Sequence, residues 1–386
     1  MKSTVCVVTG TRAEFGLLYP LLKKLHADDE LELQLVVTGT HLLPEFGNTQ
    51  NEILASGIPI YSRVLIEVGN GSKAAMAQAT GKALTAFAEY FEVHHPDLLI
   101  VLGDRFEIFS AATAAALQNI AIAHIHGGET TEGAVDEFLR HSITKMSCLH
   151  FTACQEYRKR VIQLGEAPGS VFNVGALGVE NVMNLPEISL DELSESLGVD
   201  LFAGPYSIVT YHPVTQLAGN VAEEMAQLIS ALEAFPNMRF IITKANADAG
   251  GREINAIWDR ERERHPNWSV VTSLGARRYL TALKHAQMMI GNSSSGILEA
   301  PAAHIPTVNI GMRQKGRMMA ESVISCDCKM DDIKNAIDYV SQDSFRERLA
   351  ALVAPFGDGN TSEKICEICR EFLKNKTELA KTFYDL

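Results

Sequence analysis

Short apolar segments alternate with longer helical patterns along this chain, and this alternation limits its fold more than any other feature. Five segments of the first half are typical of buried strands, namely residues 5–9, 33–38, 97–102, 120–124 and 150–153. Helical patterns lie between several of them, at residues 15–26, 73–94, 106–118 and 137–145. Because strands that alternate with helices usually pair in parallel, we predict a parallel sheet covered on both faces.

The same rhythm starts again after Pro186. The second set of predicted strands comprises residues 206–210, 238–243, 269–271, 287–290 and 307–310, with helices at 221–234 and 277–285. A chain of 386 residues is also longer than one hydrophobic core usually serves. We therefore predict an α/β protein with two doubly wound, Rossmann-like domains that face a central cleft.

The first domain is expected to span residues 1–180 and the second residues 186–357, with a crossing at residues 181–186. The helix-rich tail, residues 358–386, is expected to pack back on the first domain. In open parallel sheets, ligands bind beyond the carboxyl ends of the strands. The polar motifs of this chain follow strands, so we expect them to lie in the cleft.

Composition excludes some classes of function. The formal net charge of −13 argues against a nucleic-acid partner, because proteins that bind a nucleic-acid backbone usually carry a basic stripe. No apolar run approaches the roughly 20 residues that cross a membrane. Seven cysteines without a secretory signal are typical of reduced thiols, so we predict a cytoplasmic protein. Cys326 and Cys328 resemble half of a metal clip, as do Cys366 and Cys369, but no second pair has zinc-site spacing.

A serine-rich turn follows the predicted strand that ends at Ile290. Asn292, Ser293 and Ser294 lie in this turn, and Glu299 follows about one helical turn later. A strand, a tight turn and a helix N-terminus bring backbone N–H groups and hydroxyls together, which suits a phosphate or diphosphate. Glu299 could then accept hydrogen bonds from ribose hydroxyls. The alternative is that serine and asparagine only cap the helix.

Two further motifs follow strands of the first half. Arg12 comes after Gly10 at the end of the first strand, and its planar fork of donors suits phosphate. Asp104 follows the apolar strand that ends at Leu102, where reactive side chains of this architecture concentrate. The alternative for Asp104 is an N-cap of the helix that starts near Phe106.

The next strand leads into a loop with several groups that could move a proton. His124 and His126 occupy alternate strand positions, which predicts that both side chains face the same side. Glu129 follows two glycines, and Asp136 lies at the start of the next helix. A metal site is one alternative, but we favour acid–base catalysis, which needs only groups of suitable pKa within reach.

In the second half, His212 precedes a proline that keeps it extended at the end of a strand. A structural histidine bonded to a loop carbonyl is the alternative. Asn246 and Arg313 also lie in loops that follow strands, and Arg313 belongs to a group of cations near the serine turn. Such cations would suit a diphosphate.

Seven motifs occur in order over nearly the whole chain. They are Gly-Thr-Arg at 10–12, Gly-Asp-Arg at 103–105, His-Ile-His-Gly-Gly-Glu at 124–129, Arg-His-Ser-Ile-Thr-Lys at 140–145, His-Pro-Val-Thr at 212–215, Gly-Asn-Ser-Ser-Ser-Gly at 291–296 and Gly-Met-Arg-Gln at 311–314. With this set the chain resembles the hydrolysing UDP-N-acetylglucosamine 2-epimerases. It looks most similar to the bacterial branch that makes N-acetylmannosamine for sialic acid synthesis. A sibling branch acts on UDP-N,N'-diacetylbacillosamine for legionaminic acid.

The resemblance implies a glycosyltransferase-B-like fold and a reaction without metal or other cofactor. UDP leaves by anti elimination to give a 2-acetamidoglucal, and water then adds with inversion at C2, which requires at least two proton-transfer groups. The family also implies a homodimer or homotetramer. A glycosyltransferase of the same fold and a UDP-sugar sensor without turnover remain as alternatives.

Site residues carry over from the family by position. Asp104 and Asp136 match its catalytic acidic residues, and His212 matches its active-site histidine. The UDP-sugar contacts implied or expected with them are Arg12, Arg105, Asn246, Ser273, Asn292, Ser293, Ser294, Glu299 and Arg313. Many relatives have glutamate where this chain has His126. Either His126 takes over that proton-transfer role, or Glu129 does, or that glutamate was dispensable, and the sequence leaves this choice open.

Overall fold

A computed structural model of the chain describes residues 2–44, 47–66, 73–131, 135–213, 220–245, 250–349, 352, 354–375 and 381–386. The chain divides into two compact units. The first comprises Met1–Glu129, Val135–Glu180 and Gly357–Leu386, and the second comprises Thr130–Ala134 and Asn181–Phe356. No helix among the described residues is long and apolar enough to cross a membrane.

Strands and helices alternate through both units. The strands are β1 (Ser3–Thr9), β2 (Leu31–Val37), β3 (Ser62–Arg63), β4 (Leu98–Leu102), β5 (Ala121–Ile125), β6 (Leu149–Thr152), β7 (Val171–Asn173), β8 (Tyr206–Thr210), β9 (Arg239–Thr243), β10 (Trp268–Val271), β11 (Met289–Gly291), β12 (Thr307–Ile310) and β13 (Val323–Cys326). The α-helices are α1 (Arg12–Ala27), α2 (Gln50–Ala55), α3 (Lys73–Val93), α4 (Phe106–Leu117), α5 (Val135–Met146), α6 (Gln155–Gln163), α7 (Leu177–Asn184), α8 (Leu190–Leu197), α9 (Val221–Glu233), α10 (Gly251–Arg262), α11 (Gly275–Lys284), α12 (Ser295–Ala302), α13 (Met330–Val340), α14 (Asp343–Leu349) and α15 (Thr361–Asn375).

The first unit is built on a sheet of seven parallel strands in the order β3-β2-β1-β4-β5-β6-β7. Alternate residues of β1 enter different cores: Val5 and Val7 belong to one apolar cluster, and Cys6 and Val8 to another. Successive strand residues point to opposite faces, so both faces of this sheet are buried. This confirms the prediction of a parallel sheet that is covered on both sides.

Helix α15, from the C-terminal part of the chain, contributes to the core of the first unit. Ile365, Cys366 and Cys369 belong to the same buried cluster as residues of α1 and β1. Lys24 of α1 also pairs with Glu363 of α15 at 2.5 Å. Burial of the apolar face of α15 explains why this late segment belongs to the first unit.

The second unit is built on six parallel strands in the order β10-β9-β8-β11-β12-β13. Strand β8 has the predicted limits, and all five of its residues are buried. The core of the second unit contains Trp258 and Trp268, which pack edge to face with ring centroids 6.1 Å apart. The order of strands reverses between β8 and β11 here and between β1 and β4 in the first sheet. Ligands of doubly wound sheets bind at such reversal points, which the sequence alone does not locate.

Candidate functional site

A buried arginine organises the polar residues of the first unit. Arg140 of α5 is only 1% exposed. Its guanidinium donates two hydrogen bonds to Asp104 Oδ2, one of them from Nε at 2.9 Å. Nη1 donates to the carbonyl of Glu129 at 2.7 Å and to Glu137 Oε2 at 2.9 Å. Burial opposes its charge, but the carboxylates of Asp104, Glu129 and Glu137 raise the pKa of Arg140 overall.

The structure removes one of the two alternatives that the sequence left for Asp104. The N-cap of α4 is Arg105, not Asp104, so the capping alternative is wrong. The carboxylate of Asp104 instead joins the end of β4 to α5. Sequence reasoning did not select Arg140 as a site residue. The available signal was its spacing of four residues after Asp136, which places both on one face of a helix.

Asp136 itself lies exposed in the first turn of α5. Arg12 begins α1, directly after its N-cap Thr11, and its side chain is 41% exposed. The guanidinium of Arg12 lies 3.6 Å from Glu52. Asp136 and Arg12 therefore keep polar groups at the surface of the first unit, where the roles predicted for them remain predictions.

Arg105 contacts carboxylates of its own chain. It donates to both oxygens of Glu107, from Nη2 at 2.9 Å and from Nε at 3.2 Å. It also lies 3.8 Å from Glu14 Oε1. Glu107 and Glu14 are buried. Burial raises the pKa of Glu14 to about 7, with Arg105 opposing this shift and Glu107 adding to it. The guanidinium thus offsets two buried carboxylates, and its predicted contact with a UDP-sugar remains a prediction.

The prediction that His124 and His126 face the same side assumed that both lie in one strand, and the structure contradicts this assumption. Strand β5 ends at Ile125, and His126 has a φ of 67°, which breaks the alternation of the strand. The ring of His124 lies 2.8 Å from the carbonyl of Gly103 and 3.1 Å from Thr144 Oγ1. Burial lowers the pKa of His124 to about 3, so its ring is neutral near pH 7.

His126 instead approaches Glu129. Its Nδ1 lies 3.0 Å from Glu129 Oε1, and the two residues are 8% and 4% exposed. Nε2 of His126 is buried and has no hydrogen-bond partner among the described residues. The two groups between which the sequence could not choose are therefore direct neighbours. Within the described part of the chain, no three His, Cys, Asp or Glu side chains are grouped to hold a metal ion.

In the second unit, the serine turn joins β11 to α12. Gly291 has a φ of 131°, and a Cβ there would lie 2.0 Å from the carbonyl oxygen of Thr210, so only glycine fits. Ser294 is the N-cap of α12 but its side chain forms no capping hydrogen bond. Ser293 Oγ accepts from the N–H of Ser295 at 3.3 Å. The capping alternative thus rests on Ser293 alone.

Asn292 holds the backbone of His212. Its Oδ1 accepts from the N–H of His212 at 2.7 Å, and its Nδ2 donates to the carbonyl of His212 at 2.8 Å. The carbonyl of Asn292 accepts from Arg313 Nη1 at 3.0 Å and from Gln314. Burial lowers the pKa of His212 to about 4, and the charge of Arg313 adds to this. The structure therefore brings His212, Asn292 and Arg313 together, with a neutral imidazole near pH 7.

Glu299 lies close to two residues that sequence reasoning missed. Tyr279 of α11 has its hydroxyl 2.5 Å from Ser295 Oγ, at the start of α12. Burial raises the pKa of Glu299, and a hydrogen bond with Ser295 opposes the shift. Tyr279 and Ser295 thus surround the carboxylate that we predict to bind ribose.

The other two residues predicted to contact the UDP-sugar are Ser273 and Asn246. Ser273 follows β10, and its Oγ accepts from the N–H of Gly275 at 3.2 Å, at the start of α11. Asn246 lies outside the residues that the structure describes.

Comparison with known proteins supplies the family. A model of the family described as UDP-N-acetylglucosamine 2-epimerase matches residues 23–370. A relative from Campylobacter jejuni, named GDP/UDP-N,N'-diacetylbacillosamine 2-epimerase (hydrolyzing), is 37% identical over 386 residues, which are 100% of each chain. A relative from Escherichia coli, named polysialic acid biosynthesis protein P7, is 38% identical over 99% of this chain and 97% of its own.

A solved structure shares the fold. The UDP-GlcNAc 2-epimerase from Neisseria meningitidis bound to UDP-GlcNAc aligns with a TM-score of 0.81 and 16% identity, over 95% of this chain and 100% of that chain. This confirms the predicted two-domain, glycosyltransferase-B-like α/β fold. The family resemblance that the seven motifs carry is also confirmed. The chain belongs to the UDP-N-acetylglucosamine 2-epimerase family.

Proposed function

We propose that this protein is a hydrolysing 2-epimerase that converts UDP-N,N'-diacetylbacillosamine and water into UDP and the free sugar inverted at C2. One observation carries the choice of substrate: the Campylobacter jejuni relative, 37% identical over the full length of both chains, is named for this sugar. The name of the Escherichia coli relative states a biosynthetic process and no substrate. The product would then serve legionaminic acid synthesis.

The proposed chemistry has two stages. In the first, a base removes the proton from C2, the C2–H electron pair forms the C1=C2 double bond, and the C1–O pair leaves with UDP. In the second, water adds its oxygen at C1 while a proton reaches the opposite face of C2. The reaction requires no metal or other cofactor, because carboxylates and imidazoles can carry both protons in general acid–base catalysis. We assign these roles to Asp104, Asp136, His212 and the pair His126 and Glu129.

We assign UDP binding chiefly to residues of the second unit. A helix N-terminus with hydroxyl groups and a nearby guanidinium suits a diphosphate, which supports Ser293, Ser294 and Arg313. We assign ribose binding to Glu299, whose carboxylate is held in place by a hydrogen bond with Ser295. Asn292 acts by holding His212 and Arg313. Arg12, Arg105, Asn246 and Ser273 complete the proposed set.

The second candidate substrate is UDP-N-acetylglucosamine, which would give N-acetylmannosamine for sialic acid synthesis. The Escherichia coli relative favours it, since its name refers to polysialic acid. A glycosyltransferase would need an acceptor, and a UDP-sugar sensor would bind without releasing UDP. Neither has a use for the groups around Arg140 that can move a proton.

The experiment that separates these functions is incubation with UDP-N,N'-diacetylbacillosamine and with UDP-N-acetylglucosamine separately, in heavy water and excess chelator. NMR then follows UDP and the sugar product. We expect UDP release from the diacetylated sugar and deuterium at C2 of an inverted product. Faster turnover of UDP-N-acetylglucosamine would select the second candidate. Protium retained at C2, or activity that requires a divalent ion, would refute the mechanism. A parallel sample with the GDP form of the sugar tests the nucleotide base.

We also propose that the enzyme works in the cytoplasm as a homodimer or homotetramer, with a first domain of residues 1–180, on which the tail of residues 358–386 packs, and a second domain of residues 186–357. All seven cysteines are free thiols, which suits a reducing compartment. Sedimentation of the purified protein tests the oligomeric state.

A further inference from the structure

His126 has a positive φ, a backbone conformation that few residues other than glycine adopt. A φ of 67° lies in the left-handed region, which only a few per cent of residues other than glycine adopt, although asparagine, aspartate and histidine adopt it more often than the rest. Such backbone strain persists where the surrounding structure imposes it, often at functional sites. The conformation turns the imidazole out of the alternation of β5 and towards Glu129.

Packing at Gly128 and a hydrogen bond from Arg140 restrict the backbone position of Glu129. Gly128 has a φ of 80°, and a Cβ there would lie 2.4 Å from the carbonyl oxygen of Tyr157, so this position requires glycine. The carbonyl of Glu129 accepts a hydrogen bond from Arg140. The carboxylate is thereby placed beside Nδ1 of His126, at 3.0 Å.

A carboxylate beside Nδ1 favours the tautomer with its hydrogen on that nitrogen. Nε2 then carries the lone pair, and it is the ring nitrogen that is buried without a partner among the described residues. A buried polar atom without a partner costs free energy that a ligand can recover. By contrast, Asp104 already accepts two hydrogen bonds from Arg140, which weakens it as a proton acceptor.

We propose that His126 and Glu129 act as a pair, in which Nε2 of His126 accepts the C2 proton of the sugar during elimination and Glu129 orients the imidazole. This assignment rests on the proposed function and refines it. The proton moves from C2 to Nε2, the C2–H electron pair becomes the C1=C2 bond, and the C1–O pair leaves on UDP. His126 is the catalytic residue, and Glu129 is a positioning residue that stabilises the imidazolium.

The test begins with His126→Asn, because asparagine tolerates left-handed backbone better than most residues. We expect a loss of UDP release of about 10²–10⁴-fold, the usual contribution of general base catalysis, with UDP affinity unchanged. His26→Asn, on an exposed histidine of α1, is the matched control and keeps wild-type turnover. Normal turnover by His126→Asn would overturn the proposal. Release of UDP with accumulation of the 2-acetamidoglucal would overturn it as well, because His126 would then act only in hydration.

A second variant keeps the test independent of folding defects. His126→Gly suits a positive φ, and we expect added imidazole to restore UDP release to this variant. A folded His126→Gly that binds UDP but gains no activity from imidazole would count against the proposal.

Glu129 is tested by a double-mutant cycle. We expect Glu129→Gln to lower kcat without raising KM, and by less than His126→Asn does. The double variant should be no slower than His126→Asn alone, since residues that act as a unit are not additive. A larger loss in Glu129→Gln than in His126→Asn would make Glu129 the proton carrier instead. Absence of UDP release by the wild-type protein from either sugar would refute the proposed function, which is a different result from any of these.

Discussion

Replacement of Arg140 by methionine should destabilise the first unit strongly. Methionine matches the arginine side chain only as far as Nε, and it removes every donor that Arg140 offers to Asp104, to the carbonyl of Glu129 and to Glu137. Breaking a buried ion pair by removing one partner typically costs 3–5 kcal/mol. The side chains of Asp104 and Glu137 keep 23% and 27% exposure, so water can partly replace the lost donors. We therefore expect a loss near the lower limit, about 3 kcal/mol.

A loss of about 3 kcal/mol corresponds to a fall in Tm of about 6–12 °C for a domain of this size. Both tryptophans of the chain, Trp258 and Trp268, belong to the second unit. Tryptophan fluorescence therefore follows the second unit, whereas far-UV circular dichroism follows helices of both. We expect the larger shift in the dichroism transition. Lys159→Met, a change of an exposed cation of α6, is the control and should shift Tm by no more than about 2 °C, since such surface changes stay within about 0.5 kcal/mol.

A double-mutant cycle measures the coupling free energy between Asp104 and Arg140. Asp104→Asn and Arg140→Met should be less destabilising together than the sum of the single changes, with a coupling of about 1–3 kcal/mol. If Arg140→Met shifts Tm no more than Lys159→Met, or if the effects of Asp104→Asn and Arg140→Met add, Arg140 does not organise this site.

Three further predictions follow from single contacts. Glu14→Gln should become more stable relative to wild type as the pH rises from 4.5 to 7: burial raises the pKa of Glu14 to about 7, so the folded state resists losing a proton that the unfolded state gives up near 4.5. The difference in unfolding free energy between the variant and wild type reaches at most about 3 kcal/mol. If the urea midpoints of the two proteins differ by the same amount at both pH values, the prediction is wrong. Ser294→Ala should weaken UDP binding by about 0.5–1.5 kcal/mol by calorimetry, and unchanged affinity would reduce this serine to a structural residue. Lys381→Met should lower Tm by removing a donor from buried Glu166 and from the carbonyls of Lys145 and Ser147, whereas Lys381→Arg should recover most of the loss.

Parts of the site could be predicted from the sequence because they depend on local order along the chain. Asp104, His212 and Ser294 each lie within three residues of the end of a buried strand, and an apolar run followed by polar residues is visible without a structure. Arg140 was missed as a site residue because its role depends on partners that lie 36 and 11 positions away in the sequence. The alternation predicted for His124 and His126 does not apply, because it was extended one residue past the end of β5.

The sequence by itself determined the alternation of strands and helices, the restart of this rhythm after Pro186, and the polar loops that follow the strands, since periodicity and burial are properties of neighbouring residues. Only the tertiary structure decided that β1 lies beside β4 in the first unit and that β8 lies beside β11 in the second. Within each unit, the loops after these two strands therefore lie side by side at the point where the strand order reverses. The tertiary structure also decided that Glu129 lies against His126 and that Arg140 joins Asp104 to α5. Strand order and side-chain pairing depend on contacts between distant segments, whose energies are set by packing and burial and leave no periodic trace in the chain.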